Sequence, residues 1–175
     1  MTLPELLAVL DAMASEPSEE TVGLSELDHA LQCAHELVLT HPDDAELQVA
    51  GLVHDVGHRF GSDELHGVLG AEHVVGLFGA RLAALVELHV PAKRYLVTTD
   101  ASYRSRLSVQ STRTLALQGG ALGPDELSSF SASPYAPDAV ELRRADDAAK
   151  VPGRSVPPLV HWTPLLRALA VHEPT

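Results

Sequence analysis

Leu52-Val53-His54-Asp55-Val56-Gly57-His58 sets three ionisable groups within one short apolar run. Leu47 and Ala50 ahead of it, followed by His54 and then His58, predict a single helix face continuing through the segment. An apolar helix has no need of such groups. Burying an unpaired carboxylate costs on the order of several kcal/mol, so Asp55 between two imidazoles is most simply explained by a cation that neutralises it. On such a helix His54 and Asp55 stand about 100° apart and approach one cation from adjacent directions. His58, one turn beyond His54, reaches the same pocket from outside the ligand set.

Outward from this segment the periodicity is helical. Leu3, Leu6, Leu7 and Leu10 follow i, i+3, i+4, i+7, and Ser25 with Asp28 reads as a capping box opening a helix through Leu27, Ala30, Leu31, Ala34 and Val38. Pro42 suits the first turn of the helix that carries His54. Further helices are predicted over 63–78, 80–90, 92–98, 108–118, 124–131, 137–150 and 163–171, with breaks at Gly61, Gly79, Pro91, Gly119-Gly120 and Pro134. No alternating run is long enough for a strand, so the expected fold is an all-α, single-domain helical bundle. Residues 152–158 read as a linker to a terminal helix whose Leu165, Leu166 and Leu169 need burial. Gly67, Gly70, Gly76 and Gly79 follow no strand and form neither GxGxxG nor a P-loop, which argues against a nucleotide-phosphate cradle.

Composition bounds the function. The chain has 175 residues and a formal charge of -12, a balance that repels polyanionic backbones and excludes general nucleic-acid binding. With 45% hydrophobic but only 4% aromatic residues, the core must be built from Leu, Ala and Val. The lone Cys33 makes no internal disulfide, Glu5 and Asp11 do not suit a signal peptide, and no stretch is apolar enough to span a bilayer. A cytoplasmic protein without membrane contact is the expectation. Ten His in a Cys-poor chain favour an imidazole–carboxylate metal site, although the plain reading of any one His is a surface or capping residue. His29, His66, His89 and Asp146 recur on separate predicted helices that a bundle can converge. His35, His41, His73, His161 and His172 lack comparable settings.

The chain resembles the HD-domain superfamily, whose metal signature of a His, a His-Asp pair and a distant Asp falls here on His29, His54, Asp55 and Asp146. The likeness extends to the mixed-valence di-iron oxygenases, the branch of the glycine-forming 2-amino-1-hydroxyethylphosphonate dioxygenase, with myo-inositol oxygenase and the HD phosphohydrolases more distant. It runs through HALQCA from His29, LVHDVGH ending at His58, HGVLGA from His66, HVPAKRYL from His89, LSVQSTRTLALQGG from Leu107 and LRRADDAAK ending at Lys150. It implies two Fe ions, Fe(II) and Fe(III), held by His29, His54, Asp55, His66, His89 and Asp146, with Asp55 bridging and dioxygen as co-substrate. The family spacing to Lys150 favours Asp146 over Asp147. Residues 1–24 then form an N-terminal helix and connector, 25–150 the HD-type metal-binding unit, and 151–175 a linker and packing helix.

The lysines point to the substrate independently. Lys93 and Lys150 are the two lysines in a chain rich in Arg, and both fall inside the resembling segments. Lys93 follows His89 by one helical turn and Arg143 precedes Asp146 by three residues, so both cations can approach an anion bound at the metals. The resemblance implies that Lys93, Ser111, Thr114 and Arg143 surround a phosphonate, and that His58 contacts the substrate or its oxygen, which makes His58 and Lys93 the catalytic candidates. A family Tyr ten residues and a Glu seven residues before the first His ligand are Glu19 and Val22 here, and a Trp before the last Asp is Ala145. These departures bear on the substrate rather than on the metals. The resulting expectation is an iron-dependent oxygenase that cleaves the C–P bond of a small hydroxylated organophosphonate. The alternative is an HD phosphohydrolase, in which metals lower the pKa of bound water for attack on a phosphate ester. A non-catalytic anion-binding module is a third.

Overall fold

Two capping boxes open the first two helices of the computed structural model, which describes residues 1–18 and 21–171. In α1 (Leu3–Met13), Thr2 N–H donates to Glu5 Oε2 at 2.7 Å while Glu5 N–H donates back to Thr2 Oγ1. In α2 (Glu26–Thr40), Ser25 and Asp28 make the same exchange, as the sequence predicts. α3 (Ala45–Val53) is capped by Asp44, whose carboxylate accepts Leu47 N–H at 3.0 Å, so Pro42 lies ahead of this helix rather than in its first turn. α4 (His66–Phe78), α5 (Ala80–Thr99), α6 (Val109–Leu117), α7 (Pro124–Ala132), α8 (Ala136–Ala148) and α9 (Leu159–Leu169) follow. The described residues form no strand, only a single bridge between Pro17 and Ser25, and the fold is all-α. None of their helices is long and apolar enough to cross a membrane.

α2, α3, α5 and α8 pack against one another, α4 lies along α5, and α9 closes over α3. The interior is leucine-built. Leu6, Leu37, Leu47, Leu52, Leu82, Leu85, Leu142 and Leu166 are fully buried, each contributing about 1.5–3 kcal/mol of transfer free energy.

Two further expectations fail, each for a physical reason. Pro91 does not break α5: Leu82, Leu85, Val86 and His89 before it and Ala92, Lys93 and Leu96 after it bury one continuous face. The carbonyl deprived of its helical donor, Glu87 O, faces Gly67 of α4, where a side chain would crowd it. The segment carrying His54, Asp55 and His58 is likewise not one helix. α3 stops at Val53, His54 and Asp55 form a turn with Asp55 near the bridge region (φ -99°, ψ 3°), and Val56–Arg59 is a 3₁₀ turn. Gly57 is the cause. Its Cα packs against the start of α4, where a Cβ would collide with the His66 carbonyl.

Candidate metal centre and anion pocket

That turn is what brings six side chains to one point. His29 comes from α2, His54 and Asp55 from the turn after α3, His66 from the first residue of α4, His89 from mid-α5 and Asp146 from the last turn of α8. All four imidazoles are buried, and each sets Nδ1 against a backbone carbonyl: His29 on Ala149 at 2.9 Å, His54 on Gly51 at 2.8 Å, His66 on Asp63 at 2.6 Å and His89 on Val86 at 2.5 Å. A carbonyl only accepts, so each Nδ1 carries a proton, and in its neutral form each ring presents an Nε2 lone pair inward.

The four Nε2 atoms surround the Asp55 carboxylate, and its two oxygens divide them. Oδ2 lies 3.5 Å from His29 and 3.1 Å from His54, whereas Oδ1 lies 3.5 Å from His66 and 3.6 Å from His89. Asp146 Oδ1 joins the first group, 3.3 Å from His29 Nε2.

Two observations test whether this donor set fits metal ions. His54 Nε2 is fully buried and makes no hydrogen bond. His66 Nε2 and His89 Nε2 are 2.9 Å apart although both Nδ1 protons are already committed, so two lone pairs face each other. Donors at right angles around an ion, each about 2.1 Å from it, are about 3 Å apart. The donor set fits metal ions, with Asp55 placed between the His29–His54 pair and the His66–His89 pair.

Electrostatics divide the four imidazoles: burial works to lower His29 and His54, but Asp146 and Asp55 outweigh it and raise His29 well above an ordinary imidazole, and Asp55 raises His54, so a cation bound there would take the place of protons. Burial works to raise the carboxyl pKa of Asp55, but His54, His29 and His89 outweigh it and hold Asp55 well below the usual carboxylate range. Asp146 is also held low against its burial, by Arg143 and then Lys150. Burial, followed by the neighbouring His89, pushes His66 well below an ordinary imidazole, and His89 is lowered chiefly by burial. Neutral imidazoles and ionised carboxylates are the forms that ligate metals.

A cavity of about 290 Å³ opens onto this cluster. Lys93, only 3% exposed, reaches into it and donates to Thr114 Oγ1 at 3.0 Å. Lys150 lies 3.4 Å from Asp146 Oδ1 and 3.4 Å from Ser111 Oγ, which is buried just behind the lining. Arg143 lines the cavity with one face while pairing with Asp146 at 2.6 Å and with Asp147. His58 stands at the mouth, stacked on His66 with ring centroids 4.0 Å apart, its Nδ1 3.3 Å from Asp63 Oδ1.

The chain reading left Lys150, Glu26, Gln110 and Gln118 out of the site, and all four line the cavity. Gln110, Thr114 and Gln118 share one face of the sixth helix at i, i+4, i+8, a signal open to sequence inspection. Val22 is 97% exposed and away from the lining, whereas Glu26, opening α2, contributes a carboxylate there. Glu19 and His172 fall outside the described residues. His73 instead stacks on Phe60, and His41 bonds its neighbour Thr40.

The HD domain family model matches residues 24–124, a span that holds all four His and Asp55 and stops short of Asp146. A hydroxymethylphosphonate dioxygenase of Gimesia maris is 38% identical over 151 residues, which is 80% of this chain and 75% of that protein. The [1-hydroxy-2-(trimethylamino)ethyl]phosphonate dioxygenase (glycine-betaine-forming) of Leisingera caerulea is 31% identical over 86% of this chain and 83% of its own length. An uncharacterised protein of Acanthamoeba polyphaga mimivirus is 27% identical over 81% of this chain and 70% of its own length. With its metal-type donor cluster and these two similarities, the chain belongs to the HD-domain phosphonate dioxygenase family.

Proposed function

We propose that this chain is an iron-dependent oxygenase that cleaves the C–P bond of a small hydroxylated organophosphonate, using two irons held by His29, His54, Asp55, His66, His89 and Asp146. The observation that carries the reading is the Asp55 carboxylate with a pair of Nε2 lone pairs on each oxygen, in a chain related to phosphonate dioxygenases. Irons bound there supply the electron exchange with dioxygen that oxidises the carbon bearing the hydroxyl.

The chain's own side chains supply everything else. Lys93, Lys150 and Arg143 bind the phosphonate oxygens, and Thr114 and Ser111 orient the two ammonium groups. His58, its Nδ1 proton directed to Asp63, turns Nε2 toward the cluster and takes the proton of the substrate hydroxyl.

Hydroxymethylphosphonate is the leading substrate, because it is the one named for the 38% identical relative and because Val22 leaves no carboxylate at the family's Glu position. With dioxygen it contains the atoms of one formate and one phosphate. The test is anaerobic iron loading, electron paramagnetic resonance after partial oxidation, and assay of oxygen-dependent phosphate release from hydroxymethyl-, aminohydroxyethyl- and trimethylaminohydroxyethyl-phosphonate. Two irons per chain, a mixed-valence signal and turnover of at least one phosphonate are expected. Binding of only one metal, or turnover confined to phosphate esters with a redox-inert ion, would replace this reading with the phosphohydrolase.

A further inference from the structure

Arg143 is held from behind. Its guanidinium meets Asp146 Oδ2 through Nη1 at 2.6 Å, Asp147 Oδ1 through Nη2, and the Tyr103 hydroxyl through Nε at 3.0 Å. Tyr103, in the 3₁₀ turn Tyr103–Arg106, in turn donates its hydroxyl proton to Asp147 Oδ2 at 2.5 Å. The three groups close a ring of hydrogen bonds. Burial and the Asp147 carboxylate, working against Arg143, set the Tyr103 hydroxyl pKa above its ordinary value, so the donor stays protonated.

The placement of this ring matters. Arg143 and Asp146 line the cavity over the metal cluster, whereas Tyr103 and Asp147 line a separate cavity of about 400 Å³ with Leu96, Arg106 and Leu107. Arg143 lines the first and bonds to Tyr103 and Asp147 of the second. Left to Asp146 alone, a guanidinium would turn both Nη groups onto both carboxylate oxygens, the bidentate geometry it prefers. Divided between two aspartates, it takes only Oδ2 of Asp146. Oδ1 is left to face His29 Nε2 at 3.3 Å, and one N–H on each Nη is left over for an anion.

We propose that Tyr103 and Asp147 are positioning residues for substrate binding, a brace outside the pocket that fixes the Arg143 guanidinium as an anion receptor and keeps it from enclosing Asp146. The proposal rests on the phosphonate reading, and inorganic phosphate separates the two.

The experiment uses metal-loaded full-length protein and compares Tyr103→Phe, Asp147→Asn and wild type. It reads phosphate Kd by calorimetry, KM and kcat on the best phosphonate, metal content and melting temperature. Tyr103→Phe changes no charge and should raise phosphate Kd and substrate KM together by roughly five- to fiftyfold, the loss of about one charge-assisted contact, with metal content and melting near wild type. Asp147→Asn makes the region more positive, so a purely electrostatic role predicts tighter phosphate binding and the brace predicts weaker. In an Arg143→Lys background, Tyr103→Phe should have no further effect, since the group it positions is gone.

Binding within twofold of wild type in Tyr103→Phe, tighter phosphate binding in Asp147→Asn, or an undiminished effect in the Arg143→Lys background overturns the brace. Loss of metal or of thermal stability alongside binding also overturns it, by making Tyr103 a general structural residue. If no phosphonate is turned over but phosphate binding follows the expected pattern, the substrate reading fails and the brace stands. Absence of phosphate binding in wild type overturns the brace.

Discussion

His66 Nε2 and His89 Nε2 lie 2.9 Å apart with no proton left to place between them, because both Nδ1 protons are bound to carbonyls. Such a contact destabilises a metal-free protein and becomes favourable when a cation takes both lone pairs. Replacing a poorly paired buried polar group with an apolar one of similar volume is often neutral or stabilising by about 1–4 kcal/mol. His66→Leu is therefore expected to leave the melting temperature of chelator-treated protein unchanged or higher, and to lower that of iron-loaded protein. Iron at about a thousandfold over Kd should stabilise wild type by about 4 kcal/mol, roughly 8–16 °C for a chain of this size. A His66→Leu protein that melts lower in chelator and gains as much from iron as wild type contradicts the assignment.

Asp55 and His58 sit three residues apart on the same turn and differ in what they touch. Asp55 faces all four buried imidazoles, while His58 is at the mouth, 3.7 Å from Asp55 Oδ1. Asp55→Ala should abolish binding of both metals, since it removes the carboxylate shared by the two sites and leaves adjacent cations without a neutralising charge. His58→Ala should keep two metals and lose turnover by roughly a hundred- to ten-thousandfold, the range of a lost general base. Metal analysis of the two proteins decides the matter, and equal metal loss refutes the distinction.

How far the chain could be read depended on the kind of contact involved. Helices with a strong apolar stripe and a side-chain cap, such as α2 behind Ser25 and Asp28, are local facts and were legible to within a residue. The end of α3 was not, because the turn that follows it packs Gly57 against the His66 carbonyl, a contact with a segment later in the chain that only glycine allows. Pro91 misled for the opposite reason: burial on both sides of it outweighs a missing hydrogen bond. Within the cluster, His54 and Asp55 stood out because such groups are costly on an apolar face, whereas His29, His66, His89 and Asp146 were candidates on separate helices that the family resemblance joined to them. Tyr103 was invisible, since an aromatic residue in a loop carries no sign of which carboxylate its hydroxyl will meet.

Arg81 ties three elements together, donating to Asp44 at the cap of α3, to Glu46 beside it and to Asp138 on α8, at 2.6–2.9 Å. The pairs are partly exposed, so Arg81→Met should cost about 1 kcal/mol at neutral pH, more than an isolated surface pair because the guanidinium is shared. Its hydrogen bond with Arg81 lowers the Asp44 carboxyl pKa. A depressed carboxyl stabilises the fold above its unfolded value, about 3.9, and loses that contribution as pH falls through the folded value. The gap between wild type and Arg81→Met in urea melts should thus be constant from pH 7 to about 5 and narrow below about 4. A gap that stays constant below about pH 4 would mean that Arg81 acts through packing of its stem.

Lys93 is where fold and chemistry meet in one side chain. It leaves α5 one turn after His89, is almost wholly buried, and has its ammonium 3.0 Å from Thr114 Oγ1 in the wall of the cavity. Burying an ammonium is unfavourable in a chain with no need of it, and the interest on the other side is an anion that the carboxylates of the cluster would otherwise repel. Lys93→Ala should keep both metals and the fold, and should raise KM or lower kcat/KM by roughly ten- to a hundredfold, the loss of a charge-assisted contact worth about 1.5–3 kcal/mol. Lys93→Arg should rescue only part of this, because a planar fork cannot occupy the position of a compact ammonium beside Thr114 without displacing the bound anion. Thr114→Val should give a smaller loss in the same direction, since it removes the oxygen that orients the ammonium and leaves the charge. Steady-state kinetics of the three proteins on the best phosphonate, with metal content measured in parallel, provide the test. Wild-type kinetics for Lys93→Ala would remove Lys93 from the anion pocket and shift the whole of phosphonate recognition onto Lys150 and Arg143.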